Sequence, residues 1–171
     1  MDIIIQKAKK HDKEAFVELM EDNEKNMYKV AKAILKNDED VADAMQETVL
    51  TCWEKIGTLK KNEYFQTWLI RILINKCNAT YKQRKRFVSD ENYPEAMVSE
   101  DGFANAEWGV FLKFLDEKYR IVIALYYMEG FKVREIAQIL DVSESAVKAR
   151  LATARKQMER YYHPDKECEI I

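Results

Sequence analysis

Apolar residues in the first part of the chain recur at steps of three and four, and no stretch alternates with the period of two that a strand requires. Phe16, Leu19, Met20, Met27, Val30, Ala31 and Ile34 mark one buried helix face. The polar run KNDED at 36–40 interrupts it, with Asn37 or Asp38 placed to cap the next helix. Val41, Ala42, Met45, Val49, Cys52, Trp53 and Ile56 then repeat the pattern, and Gly57 is expected to end it. Phe65, Trp68, Leu69, Ile72 and Leu73 open a third helix, which runs into NKCNATYKQRKRF, where polar and basic residues replace the stripe. That helix should bury its first half and expose its second.

Past Phe87 the composition changes. Acidic residues, Pro94 and Gly102 fall between two periodic regions, as in an interdomain linker. Trp108, Phe111, Leu112 and Leu115 form one further helical stripe; Ile121, Val122, Leu125 and Tyr126 form another, closed by Gly130. The last two helices are expected at 133–140 and 144–160. The pattern predicts an all-α protein of two small helical bundles joined by a flexible acidic linker. The expected boundaries are a first domain at 1–87, a linker at 88–104, a second domain at 105–163 and a tail at 164–171.

The final helix pair reads as a helix-turn-helix. Ile136, Ala137 and Leu140 share one side of its first helix, and the small Ala137 permits a close crossing. Val142 fills the turn, the Ser143 hydroxyl suits the N-cap, and Glu144 suits the positive end of the helix dipole. Val147, Leu151, Ala154 and Met158 continue the buried stripe. Ser145, Lys148, Ala149, Ala152, Arg155 and Lys156 are left on the opposite face, which can enter a major groove. Lys148 and Arg150 are candidates for phosphate or base contacts. The same crossed pair also occurs in purely structural bundles.

Charge sharpens this picture. Residues 60–87 hold eight Lys/Arg against one acid, a balance of +7, whereas 88–117 hold eight acids against one lysine, a balance of −7. Residues 132–160 return to +3, with seven bases and four acids. Two basic blocks attract a polyanion, and the acidic block between them repels it. Any one block taken singly also fits a solvated helix face.

Other chemistries find little support. Cys52, Cys77 and Cys168 are odd in number and widely separated, which suggests neither a disulfide framework nor a metal cluster. His11 and His163 lack carboxylate or cysteine neighbours at ligand spacing, and the four glycines are isolated, so no phosphate loop appears. No enzyme and no cofactor are expected. No apolar run of about 18 residues exists to span a membrane, and the apolar start MDIII is too short for a signal peptide, so cytoplasmic residence is expected.

MYKVAKAILKNDEDVADAMQETVLTCWEKI at 27–56 resembles the core of region 2 in sigma factors of the extracytoplasmic-function (ECF) class, within the sigma-70 family. YFQTWLIRILINKCNATYKQRKR at 64–86 resembles the helix that follows it, and DEKYRIVIALYYMEGFKVREIAQILDVSESAVKARLATARKQM at 116–158 is similar to region 4. The resemblance implies a factor that binds core RNA polymerase and directs it to promoters. Region 2 would dock on the clamp helices of the β′ subunit through Asp43, Gln46 and Glu47, with Trp53 in the packed interior. By their spacing alone, those three polar residues share one helix face and read as solvated.

Region 2 would also melt promoter DNA and read the −10 element on the unpaired strand, which needs a basic groove with planar side chains. Lys60, Lys61, Asn62 and Tyr64 come from the loop at 57–65; Arg71, Asn75, Asn78 and Lys82 form a polar stripe on the next helix. Phe65 and Trp68 begin the buried stripe, which leaves Tyr64 as the stacking candidate. Region 4 would read the −35 duplex and touch the β flap. The resemblance also implies an anti-sigma factor as a partner, and no membrane insertion.

The chain departs from the family pattern at several points. Val49 stands where Phe is usual, Ala79 and Lys82 where Asp and Arg are favoured, and Asp141 where the turn usually has Gly. Thr153 stands where Arg is common, and FKVREIA lacks the usual Ser or Thr cap. A stand-alone helix-turn-helix regulator and a helical adaptor are the rival readings. The +7 block just before the linker has a use in a sigma factor and in neither rival.

Overall fold

The computed structural model describes residues 1–87, 112 and 114–162, and these divide between two compact units, Met1–Met97 and Val98–Ile171. Among the described residues every regular element is helical. The expected linker at 88–104, the tail at 164–171, Trp108, Phe111, His163 and Cys168 lie outside them.

The first unit opens with a helix that the periodicity did not announce. α1 spans Asp2–Lys9, burying Ile5 and Ala8 against α2, Lys13–Ile34. His11 sits between them with φ of +61°, in the left-handed region, and the Asp12 carboxylate caps α2 by accepting from Ala15 N–H at 3.0 Å. All seven residues expected on the α2 stripe are buried. So is Lys32, whose ammonium meets Asp38 Oδ1 at 2.6 Å across the α2–α3 connection. Burial of that charge is tolerable only because a carboxylate answers it.

α3, Asp38–Lys55, is capped by Asn37, whose Oδ1 accepts from Glu39 N–H at 2.8 Å. Its inner face differs from the expected one. Ala44 and Thr48 join Val41 and Cys52 in the core, while Met45, Val49 and Trp53 are half-buried and Ala42 is exposed. The line of small residues lets α4, Phe65–Phe87, pack along it, and Thr48 satisfies its hydroxyl by donating to Ala44 O at 2.7 Å. Trp53 bridges outward, meeting the His11 and Phe16 rings edge-on at 5.0 Å each. Gly57 does not supply a left-handed cap: it lies in a 3₁₀ turn, Ile56–Thr58, and Thr58 Oγ1 donates to Lys55 O at 2.6 Å instead. A second 3₁₀ turn, Asn62–Tyr64, leads into α4.

α4 buries Phe65, Leu69 and Leu73 as its pattern predicts, adds Ile70, Ile74 and Cys77, and leaves Trp68 and Ile72 half-buried; in its second half Tyr81 and Lys82 are exposed and Arg84 half-buried. Burial pushes the Cys52 thiol up to about 12, so this cysteine behaves as a small apolar residue.

The second unit contains α5, Glu117–Ile123, which passes into a π turn over Ala124–Met128. Gly130 then reverses the chain with φ of +71°, and Phe131 N–H closes the reversal on Leu125 O at 3.0 Å. The helix-turn-helix follows as α6, Val133–Leu140, and α7, Glu144–Tyr162. Ile136, Ala137 and Ile139 face inward from α6, with Leu140 half-buried; Val147, Leu151 and Ala154 face inward from α7, with Met158 half-buried.

The turn forms as its residues require. Asp141 takes φ 55° and ψ 48°, and Val142 N–H reaches Ala137 O at 3.0 Å. Ser143 Oγ accepts from Ala146 N–H at 3.1 Å. In place of a Ser or Thr at the start of α6, the Glu135 carboxylate accepts from Lys132 N–H at 2.8 Å, the reverse arm of a capping box.

Candidate nucleic-acid and docking surfaces

In the first unit, α4 carries its polar stripe opposite its buried face. Arg71, Asn75 and Lys82 are exposed and Asn78 is half-buried, all within one side of the helix. Tyr64 stands at the entry to that helix, about two turns before Arg71, and is 51% exposed while its neighbour Phe65 is buried. Lys61 Nζ lies 5.7 Å over the Tyr64 ring and 3.6 Å from Glu63. The loop thus offers an accessible planar ring beside an ammonium group.

Lys60 and Lys61 are exposed, but Asn62 is drawn inward, 3.5 Å from Lys9 Nζ and from Asp2 O of α1. The first helix therefore backs the loop, a role that no sequence pattern indicated. Phe65 is fully buried and Trp68 half-buried, their rings 6.1 Å apart.

The stripe's neighbours on α4 are partly committed to the protein. Lys76 pairs with Glu47 at 3.4 Å and Arg84 with Asp40 at 2.8 Å, each linking α4 to α3. Asp40 is nearly buried. Its pKa is raised by that burial, against the pull of Arg84 and with the help of Asp43 and Glu39.

On α3, Asp43, Gln46 and Glu47 are all exposed and share one face. The structure adds Leu50 to that face, 60% exposed and one turn beyond Gln46 and Glu47. The face therefore offers three polar groups and one exposed apolar side chain. Its spacing of seven from Asp43 and four from Gln46 was readable, but the sequence pattern gave Leu50 no role.

In the second unit, Ser145, Lys148, Ala149, Ala152, Arg155 and Lys156 all emerge exposed on one face of α7. Arg150 does not join them: two positions from Lys148 is about 200° around a helix, and Arg150 is half-buried on the flank. The small Ala149 and Ala152 leave the middle of the face low, so a groove floor can approach it. Arg155 Nε donates to Tyr127 Oη at 2.7 Å, a partner that sequence reading did not foresee.

Comparison with known proteins agrees with both units. Residues 19–87 match the family model for Sigma-70 region 2, and residues 112–158 match Sigma-70, region 4. RNA polymerase sigma factor SigV of Bacillus subtilis is 28% identical over 155 residues, spanning 89% of this chain and 93% of that protein. ECF RNA polymerase sigma factor SigW of the same organism is 26% identical over 175 residues, spanning 91% and 93%. The solved structure of CnrH in complex with the cytosolic domain of CnrY superposes with a TM-score of 0.72 at 24% identity, over 96% of this chain and 97% of that one. The sigma factor RpoE, in complex with the anti-sigma factor NepR from Bartonella quintana, gives 0.67 at 20% identity, over 82% and 92%. The chain belongs to the sigma-70 family, in its ECF class.

Proposed function

We infer that the protein is a transcription initiation factor that binds core RNA polymerase and directs it to promoters through −10 and −35 elements. One observation carries this reading: the two units match two different regions of one family, in that family's order, and each bears an exposed basic face. A stand-alone regulator would have no use for a region 2 unit.

Within this function the residues take separate tasks. Residues 1–87 bind the polymerase and the −10 element, and 105–163 bind the −35 element. Asp43, Gln46 and Glu47, with Leu50 one turn beyond them, dock on the β′ clamp helices. Lys60, Lys61, Asn62 and Tyr64, with Arg71, Asn75, Asn78 and Lys82, hold the unpaired strand: the lysines and arginine neutralise its phosphates while Tyr64 stacks on a base. The outward face of α7 lies in the −35 major groove, with Lys148, Arg155 and Lys156 available to phosphates and base edges. Arg150, on the flank, serves a phosphate at most.

The β flap is the expected second contact on the polymerase. The factor contributes recognition and leaves catalysis to the polymerase, so it works in the cytoplasm where the polymerase acts. No helix among the described residues is long and apolar enough to cross a membrane. An anti-sigma factor is the expected regulator, since a structural relative is captured with one.

Run-off transcription with purified core enzyme on genomic fragments tests the reading. Addition of the chain should yield discrete new transcripts. Absence of both new starts and core binding would refute it.

A further inference from the structure

The helix before Gly130 widens at its end. Over Ala124–Met128 it takes a π turn, with Glu129 N–H reaching Ala124 O at 3.1 Å. Such turns are rare in proteins and collect where side chains must leave the regular helical lattice. This turn carries Tyr126 and Tyr127. Their rings meet edge to face at 4.9 Å, and the Arg155 guanidinium carbon lies 5.7 Å from both centroids. Arg155 Nε donates to Tyr127 Oη at 2.7 Å across 28 positions of sequence.

An exposed arginine samples many rotamers, and fixing one on binding costs entropy unless the protein has fixed it beforehand. A guanidinium has five N–H donors. A bond through Nε leaves the four on the terminal nitrogens as a fork pointing away from Tyr127, the arrangement that takes phosphate in two parallel bonds. Arg155 lies two turns beyond Lys148 on the exposed face of α7, where the backbone of a duplex would pass.

We propose that Tyr127 is a positioning residue for promoter binding: it holds Arg155 with its terminal fork set for a backbone phosphate of the −35 duplex. The proposal rests on the reading of α7 as the duplex-binding helix. It extends that interface to a residue outside the helix-turn-helix. A phosphate carries no sequence, so the contribution is uniform from promoter to promoter.

The test uses holoenzyme assembled from the full chain and core polymerase, bound across a range of salt to two promoter fragments it selects from genomic DNA. Arg155→Ala should weaken both about ten-fold and reduce the salt slope by about one. Tyr127→Phe, which removes only the hydroxyl, should weaken both about three-fold. In the Arg155→Ala background, Tyr127→Phe should cost nothing more, because its effect runs through the arginine. A tyrosine with a merely structural role would give the same loss in both backgrounds. Additive losses, or wild-type affinity in Tyr127→Phe, overturn the proposal. Lys148→Ala separates the two levels: if it weakens binding and Arg155→Ala does not, the proposal falls and the duplex reading stands. If neither weakens binding, both fall.

Discussion

Arg84 Nε lies 2.8 Å from Asp40 Oδ1, so the basic end of α4 is pinned to the first turn of α3. Like Lys76, Arg84 is a basic residue of the 60–87 block that is engaged within the fold. Arg84→Ala leaves a nearly buried carboxylate without its cation. Breaking a fully buried pair costs about 3–5 kcal/mol, and because Arg84 is itself over a third exposed the expected cost at neutral pH is about 1–2 kcal/mol.

The pH dependence has a definite sign. The Asp40 pKa is raised above its ordinary 3.8 by burial, so this group favours the folded state at low pH and loses that advantage as pH rises through its folded value. Without Arg84 the rise is larger. The deficit of Arg84→Ala should be full at neutral pH and shrink as acid protonates Asp40 in the window above 3.8. Urea midpoints of the two proteins at neutral and acid pH measure it, and a deficit independent of pH would count against this account.

Leu50 carries the second prediction. At 60% exposed it contributes little to the fold, and Leu50→Ala should change stability by less than about 0.5 kcal/mol. If the polymerase docks on this face as proposed, the same change should matter far more to the partner, with core affinity falling about thirty-fold, or roughly 2 kcal/mol. Fluorescence titration with core enzyme checks this. Undiminished affinity would move the docking face away from Asp43, Gln46 and Glu47.

The helices and their inner faces were legible because burial writes itself into periodicity. All of the α2 stripe and most of α4 behave as their spacing predicts. The misreadings on α3 have a shared cause: where two helices pack closely, small residues such as Ala44 and Thr48 occupy the contact, and a search for large apolar residues passes over them. α1 was missed because it buries only Ile5 and Ala8, too few to form a pattern. Leu50 and Tyr127 fell outside every apolar stripe, since periodicity marks what is buried and both are exposed. The exposed face of α7 was readable because its cations alternate with alanines at helical spacing, whereas the Arg155–Tyr127 bond depends on a π turn that no local pattern announces.

Tyr64 should act in strand opening and not in initial binding. Stacking of a base on an aromatic ring is worth about 1–3 kcal/mol, so Tyr64→Ala should lower the yield of open complex by about five- to a hundred-fold. Tyr64→Phe keeps the ring and should retain most of it. Permanganate reactivity of unpaired thymines reports opening, and retention of the closed complex on a gel reports binding. Equal loss of both would assign Tyr64 to the fold or to duplex contact instead.

Asp141 supplies the last prediction. It closes α6 in the left-handed region, at φ 55° and ψ 48°, where a Cβ is strained by about 1 kcal/mol and where aspartate is among the better tolerated side chains. Asp141→Gly removes that strain but enlarges the freedom of the unfolded chain, which leaves a net gain of about 0.5 kcal/mol for the second unit. Asp141→Val introduces a β-branched side chain that this conformation excludes, and should destabilise by about 2 kcal/mol. The residue lies ahead of α7 and apart from its outward face. Asp141→Gly should therefore leave the ranking of −35 sequences unchanged, while loss of one negative charge near the duplex raises affinity for all of them alike. Thermal unfolding of the variants together with binding to a panel of −35 substitutions tests both halves. A changed ranking would mean that the turn itself helps to read the sequence.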